Sequence, residues 1–276
     1  MTYATLMVHL EVRRPNTGLL KIVGDLAAKF QASVVGITAC QPLQLAYGDG
    51  YVSGDVVEQD QAEIQKEVAD AEMEYRSALQ AHAGKLIWRS NVTMEPLSDY
   101  IAREARSADL VITGVDTGAS LFDTSRHMNV SDLVMRVGRP VLIVPAAEDV
   151  LKLERAVVAW KDTREAQRAV LDALPLLKVA AHITVVEIAP KDGLASARRR
   201  LEDLVAWLER HGVTAEPLAV AATGEDADQL AHFVQEHEAD LMVAGAYGHS
   251  RLREWVLGGV THDLLMSAAC CSLVSH

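Results

Sequence analysis

The chain has 276 residues, 50% of them hydrophobic and 23% charged, and its formal net charge is −12 at pH 7. So large an acidic surplus disfavours non-specific attraction to nucleic acid or to an anionic membrane surface. No apolar run approaches the ~20 residues that span a bilayer, and the first residues lack a signal-peptide pattern, so we expect a cytoplasmic protein without membrane contact. The three cysteines, Cys40, Cys270 and Cys271, form neither a disulfide framework nor a zinc motif.

Short β-branched runs alternate along the chain with longer helical patterns, which is typical of parallel sheets with crossover helices. The first half predicts strands near 4–10, 33–39, 86–92, 109–114 and 140–145, and a long charged helix at about 57–82. The second half predicts strands near 155–160, 182–188, 214–221, 240–245 and 271–275. Its predicted helices lie near 164–177, 194–211, 226–237 and 260–268.

The two halves repeat each other. The segment Ala-Asp-Leu-Val-Ile-Thr-Gly at 108–114 returns, 131 residues later, as Ala-Asp-Leu-Met-Val-Ala-Gly at 239–245. Near the start of each half the match is looser, with Thr5–His9 aligned to 156–160. Self-similarity at a fixed offset indicates a duplicated domain. We therefore predict two domains, at 1–147 and 151–276.

A glycine pattern follows the fourth strand of the second copy. Gly245, Gly248 and Gly258 have the spacing G-x2-G-x9-G, and a predicted helix comes next. Glycine lets backbone N–H groups approach a ligand closely, and a helix N-terminus attracts anions, so the pattern predicts a phosphate cradle. Glycines that only make turns are the alternative. In the first copy His127 and Met128 occupy the places of Gly258 and Gly259, and we expect no such loop there.

This strand placement and spacing, with Val-Thr-His-Asp following at 260–263, resemble the ATP-binding members of the universal stress protein family. The segment Gly-Arg-Pro-Val-Leu-Ile-Val-Pro at 138–145 supports the resemblance. It implies two tandem doubly wound α/β domains, each a five-stranded parallel sheet in the order 3-2-1-4-5 flanked by helices. It also implies that the copies pair through their fifth strands, as family dimers do, and leaves a further homodimer open.

The resemblance also implies a nucleotide site in the second copy, with ATP and its magnesium as the cofactor. In the family an acidic residue follows the first strand, but here Lys161 stands at that position and Asp162 one residue later. A Ser or Thr follows the last glycine in the family, whereas this chain has Gly259, and Thr261 would supply the hydroxyl. The expected ligand-binding residues, with Val186 near the adenine, are Lys161, Asp162, Val186, Gly245, Gly248, His249, Gly258, Gly259, Val260 and Thr261.

The function implied is a nucleotide-binding regulatory protein of the stress response, with no catalytic or metal-binding residues of its own and at most slow ATP hydrolysis. One alternative is an interaction scaffold whose ATP site is lost, since Lys161 and Gly259 depart from the family pattern. An enzyme of the adenine-nucleotide hydrolase-like fold is the third reading, and the chain has no Ser-Gly-Gly-x-Asp-Ser loop to support it. Cys270 and Cys271 are expected to be small residues entering a strand rather than a redox pair.

Overall fold

The computed structural model describes residues 2–42, 54–115, 126–246 and 270–276. The chain divides into two compact units: a first unit, Tyr3–Arg139, and a second unit, Pro140–His276 together with the N-terminal end. Each unit is an α/β structure of strands and helices. No helix in the described ranges is both long enough and apolar enough to span a membrane.

The first unit has four parallel strands in the order β3-β2-β1-β4. One short 3-10 turn, Ala105–Ser107, precedes β4. The main elements of this unit are β1 (Thr5–His9), α1 (Thr17–Phe30), β2 (Ser33–Cys40), α2 (Gly54–Leu79), β3 (Leu86–Val92), α3 (Leu97–Glu104), β4 (Leu110–Gly114) and α4 (Val130–Arg136).

The second unit has the strand order β5-β10-β9-β6-β7-β8, in which β5 is antiparallel to β10 and the other neighbours are parallel. Counted within the second copy, the parallel strands have the predicted order 3-2-1-4-5, and those of the first unit have the order 3-2-1-4. The elements are β5 (Val141–Val144), β6 (Arg155–Ala159), α5 (Arg164–Leu177), β7 (His182–Ala189), α6 (Leu194–Arg210), β8 (Glu216–Ala221), α7 (Asp226–Glu236), β9 (Leu241–Gly245) and β10 (Cys271–Ser275).

Tyr75 fixes helix α2 on its sheet. The ring of Tyr75 passes over Gly36 of β2, where an added Cβ would come within 2.8 Å of the ring and within 2.7 Å of Trp88. The Tyr75 hydroxyl lies 2.7 Å from the Val34 carbonyl oxygen and 3.0 Å from that of Ile87. Because burial raises the pKa of Tyr75 to about 12, the hydroxyl keeps its proton and can donate it. This contact explains why a glycine stands in a central strand.

Both units begin their first strand with the same hydrogen bonds. The Asp109 carboxylate accepts from the backbone N–H groups of Ala4 (2.8 Å) and Thr5 (2.9 Å). The Asp240 carboxylate, 131 residues later, accepts from the N–H groups of Glu154 (2.7 Å) and Arg155 (3.3 Å). Two orphan donors at the start of a parallel strand are thus satisfied in the same way twice, which supports the predicted duplication.

The strand registers correct the looser part of the repeat. Leu6 pairs with Leu110, and Ala156 pairs with Leu241, the residue 131 positions after Leu110. Leu6 therefore corresponds to Ala156, and the predicted alignment of Thr5 with Ala156 was wrong by one residue. Both strands are apolar on both faces, so no alternation of polar and apolar residues fixes their register in the sequence.

With the corrected register, His9 of the first copy corresponds to Ala159 of the second. By the offset of 131, Thr113 corresponds to Ala244. Glu11 corresponds to Lys161. These positions lie at the carboxyl ends of the first and fourth strands, where ligands bind to doubly wound sheets.

Candidate functional site

The carboxyl edge of the second unit has a floor of small and apolar side chains. Ala159, Ile188 and Val220, from β6, β7 and β8, are half-buried and pack on a fully apolar cluster below them. Ala244 of β9 pairs with Ala159 and is also half-buried. An apolar floor that keeps solvent access at the switch point of a doubly wound sheet suits a flat apolar group of a ligand.

Val186, the residue expected near the adenine, supports this floor from below. It is 2% exposed and packs in the cluster with Val157, Leu230 and Met242. Alternate residues of a strand share a face, so Ile188 lies on the same face, one step closer to the carboxyl end. The structure therefore leaves Ile188 more accessible than Val186, and the contact of Val186 with a ligand stays a prediction.

Lys161 leaves the sheet at the rim of the floor. The Trp160 N–H donates to the Val186 carbonyl at 2.8 Å, which extends the pairing of β6 with β7 by one residue before the chain turns away. The Lys161 ammonium lies 3.4 Å from the Asp226 carboxylate, and the two side chains are 67% and 52% exposed. Such an exposed pair is weak, so this ammonium can turn to an incoming anion.

Asp162 is exposed and acts on a neighbouring ion pair. On the face of β7 opposite to Val186, Arg200 of α6 binds the buried carboxylate of Glu187 through Nε and Nη2, with Nε 3.3 Å from Oε2. The hydrogen bonds that Arg200 donates to Glu187, and the nearby charge of Asp162, raise the pKa of Arg200. Asp162, which the sequence predicts to contact the ribose or the metal, is therefore an exposed carboxylate near the guanidinium of Arg200.

Gly245 ends β9 where the first turn of α5 crosses it. A Cβ added there would lie 2.4 Å from the Ala166 backbone nitrogen and 2.6 Å from the Glu165 carbonyl carbon. Thr163 caps the same helix start, since its hydroxyl accepts from the Ala166 N–H at 3.3 Å. Gly245 is thus required by helix packing. Because successive residues of a strand point to opposite faces, the N-terminus of α5 lies at the carboxyl end of β9 on the face opposite to Ala244.

The other predicted ligand-binding residues fall outside the described ranges. These are Gly248, His249, Gly258, Gly259, Val260 and Thr261, all within 247–269. The predicted helix at 260–268 lies there too. Their assignment to a ligand stays a prediction from the sequence.

The corresponding edge of the first unit is filled by larger side chains. His9 and Thr113 are 2% and 1% exposed, and the His9 Nδ1 lies 3.1 Å from the Thr113 hydroxyl oxygen. Burial, with a smaller contribution from the charge of His127, lowers the pKa of His9 to about 4. This imidazole is therefore neutral at pH 7 and packs as a polar core residue.

A buried arginine closes the same edge. The guanidinium of Arg126 is 2% exposed and donates to the Gln41 carbonyl (2.5 Å), to Asp60 (2.7 Å) and to Glu67 (3.2 Å). Glu67 also binds Arg13. Since Asp60 and Glu67 belong to α2, the arginine joins that helix to the residue that follows β2.

The sequence analysis missed His9, Thr113, Arg126, Ala159 and Ala244. A correct alignment of the first strands would have set His9 against Ala159, and the secure offset of 131 already set Thr113 against Ala244. Arg126 gave no signal of its own, because arginine in a loop is usually solvated.

Residues 152–276 match the model of the Universal stress protein family. The second half of the chain is a universal stress protein domain. No curated protein sequence matches the chain significantly.

Solved structures extend the likeness to the first half. A universal stress protein from Archaeoglobus fulgidus DSM 4304 superposes with a TM-score of 0.75 at 12% identity, over 98% of this chain and 95% of its own. A Pseudomonas aeruginosa PAO1 protein of unknown function superposes with a TM-score of 0.61 at 15% identity, over 99% of this chain and 92% of its own. The universal stress protein fold therefore runs through both units.

Proposed function

We propose that the second unit binds ATP or a related adenine nucleotide, and that the chain acts as a nucleotide-responsive regulatory protein of the stress response. The observation that carries the proposal is the half-buried floor of Ala159, Ala244 and Ile188, with the exposed ammonium of Lys161 at its rim. A flat base and an anionic tail are the two parts of a ligand that this pairing of apolar floor and positive rim would recognise.

Each remaining residue has a part in this proposal. Lys161 would turn from Asp226 to the phosphates. The glycine pattern that starts at Gly245 would bring backbone N–H groups to them, with His249, Gly259 and Val260 alongside and the Thr261 hydroxyl as a donor. Val186 would hold the floor in place.

Magnesium would arrive on the phosphates. Mg²⁺ in nucleotide sites is held by one or two carboxylates together with phosphate oxygens and water, and the exposed carboxylate of Asp162 fits that requirement. In this proposal the protein signals by having the nucleotide bound or not bound, and hydrolysis of ATP is at most slow.

The three cysteines, all free and buried, fit a reducing compartment, and we place the protein in the cytoplasm. Burial is the main reason that the pKa values of the Cys270 and Cys271 thiols rise to about 12. Both thiols therefore stay protonated and serve as small residues at the start of β10, as expected.

A glycine substitution tests the proposal. Native protein is purified, denatured, and the released small molecules are identified by mass spectrometry; calorimetry then measures ATP binding in magnesium buffer. Gly258→Val should remove the released nucleotide and weaken ATP binding by at least about a hundredfold, because a branched side chain keeps the backbone from the phosphates. Gly138→Val is the control, since an added Cβ there meets nothing within 4 Å, and it should bind ATP as the parent does.

An interaction scaffold is the second candidate, favoured by the lysine that pairs with Asp226 at the family's acidic position. If native protein releases no nucleotide and binds neither ATP nor ADP, the scaffold is the better description. If Gly258→Val binds ATP as tightly as the parent, the phosphate cradle is wrongly assigned.

A further inference from the structure

The two units differ at one facing pair of positions on their carboxyl edges. In the second unit these positions hold Ala159 and Ala244, whose methyl groups leave both residues half-buried. In the first unit they hold His9 and Thr113, which are hydrogen-bonded to each other and almost fully buried. An imidazole and a threonine side chain thus occupy the place above the strands that two methyl groups leave accessible.

The residues beside this pair show the same contrast. In the second unit Ala159 pairs with Val186, and Ile188 lies two residues further along the same strand. In the first unit His9 pairs with Ile37, and Ala39 lies two residues further along. Ile188 is half-buried, whereas the smaller Ala39 is 2% exposed. Ala39 is thus less exposed than Ile188 although its side chain is smaller. Other atoms of the first unit must therefore cover Ala39.

Helix α2 closes the opposite face of this edge, because Cys40 and Ala39 are neighbours in β2 and point to opposite sides of the sheet. It has 26 residues, whereas its counterpart α6 has 17, and each added residue lengthens a helix by about 1.5 Å. Ile64 in its N-terminal half packs on Val12 and Cys40, just beyond β1 and at the end of β2. The bonds of Arg126 to Asp60, Glu67 and the Gln41 carbonyl hold the helix in this position.

We infer that the chain fills the first unit's crevice with its own side chains, and that Ala159 and Ala244 are the residues that admit an adenine nucleotide to the second. This rests on the proposed function and adds its selectivity: one nucleotide per chain, chosen by two alanines. The same fold then carries one open crevice and one plugged by His9 and Thr113.

The experiment introduces the side chains of His9 and Thr113 at the equivalent positions of the second unit. Ala159→His/Ala244→Thr places the side chains of the first unit in the second, and Ala159→Ser/Ala244→Ser is a milder form that adds one oxygen atom at each place. Ala219→Thr is the matched control, because Ala219 pairs with Glu187 and so lies on the other face of the sheet. Calorimetry with ATP and magnesium measures affinity and stoichiometry, and circular dichroism with thermal unfolding shows which variants fold.

The parent and Ala219→Thr should each bind one ATP per chain. The plugged variant should bind none, and the serine variant should bind about ten- to hundredfold more weakly, since added atoms in a packed site oppose the ligand. If the folded serine and plugged variants bind like the parent, the selectivity assigned to the alanines is overturned while the proposed function stands. Two equivalent sites in the parent would overturn the filled crevice alone. A parent that binds no nucleotide overturns both the proposed function and this inference.

Discussion

His9 is a titratable side chain enclosed by the first unit, with Thr113 bonded to its Nδ1 and His127 nearby, which itself lies 3.9 Å from Glu11. Its pKa is about 4 in the folded chain, whereas an unfolded chain takes up the same proton near pH 6.5. The unfolded state therefore binds more protons between these pH values, and folding stability contributed by a neutral His9 is lost as pH falls from 6.5 to 4.

We expect the free energy of unfolding of the parent to fall by about 3 kcal/mol more than that of His9→Gln between pH 7 and pH 4. Urea unfolding at several pH values measures it. His232→Gln is the control, because that side chain is 70% exposed, and its profile should follow the parent. Parallel profiles for the parent and His9→Gln would contradict the buried neutral imidazole.

Gly245 and Gly114 occupy equivalent positions, 131 residues apart, and only one of them must be glycine. The segment between β6 and α5 is 160–163, whereas the segment between β1 and α1 is 10–16. The shorter connection brings α5 down onto Gly245, so an added Cβ would lie 2.4 Å from the Ala166 nitrogen; at Gly114 it would meet nothing within 4 Å.

Gly245→Ala should therefore destabilise the second unit by about 1–3 kcal/mol or more, because backbone atoms must move. Gly114→Ala should change stability by less than about 0.5 kcal/mol. Chemical denaturation of both variants decides the point, and an equal cost at the two positions would refute the packing role of Gly245.

Helix α2 depends on charge as well as on apolar contacts. Arg126 is buried with Asp60 and Glu67, so Arg126→Met removes a buried cation that both carboxylates bind. We expect a loss of about 3–5 kcal/mol, toward the lower value because Glu67 keeps Arg13. Arg103→Met removes the exposed pair with Glu95 and should cost less than about 1 kcal/mol. Comparable losses in urea unfolding would show that the α2 contact is not a buried pair.

Elements with a clear period or a clear boundary were predictable from the sequence. Helix α5 and strands β3 and β10 have the predicted limits, at 164–177, 86–92 and 271–275. The registers of β1 and β6 were not predictable, because their side chains are apolar on both faces and a slip by one residue leaves the pattern almost unchanged.

The candidate site was predictable only where residue type carries chemistry. Glycine spacing and the lysine at position 161 pointed to the carboxyl edge of the second unit's sheet. Ala159 and Ala244 matter because their side chains are small. Their significance appears only when the structure shows that His9 and Thr113 stand at the equivalent positions of the first unit. A tertiary comparison of the two copies was needed to find them.

At the scale of the whole molecule, β5 lies in the second unit although the sequence predicts it as the last strand of the first domain. It pairs antiparallel with β10, with Leu142 opposite Leu273 and Val141 opposite Val274. Pairing of the two domains through these fifth strands stays a prediction. What the strand pair does show is that a cut at the predicted linker separates β10 from β5, one of its two neighbours.

Two fragments, 138–276 and 151–276, test what β5 contributes. All four residues of β5 are at most 2% exposed, and full burial of such a side chain contributes about 1.5–3 kcal/mol. Their sum approaches the whole stability of an ordinary domain, about 5–15 kcal/mol, and removal of β5 also uncovers the backbone edge of β10. Fragment 151–276 should therefore unfold at much lower urea concentration than 138–276, or associate through its bare edge. Light scattering and urea unfolding distinguish these results, and a monomeric 151–276 as stable as 138–276 would show that the second unit does not need β5.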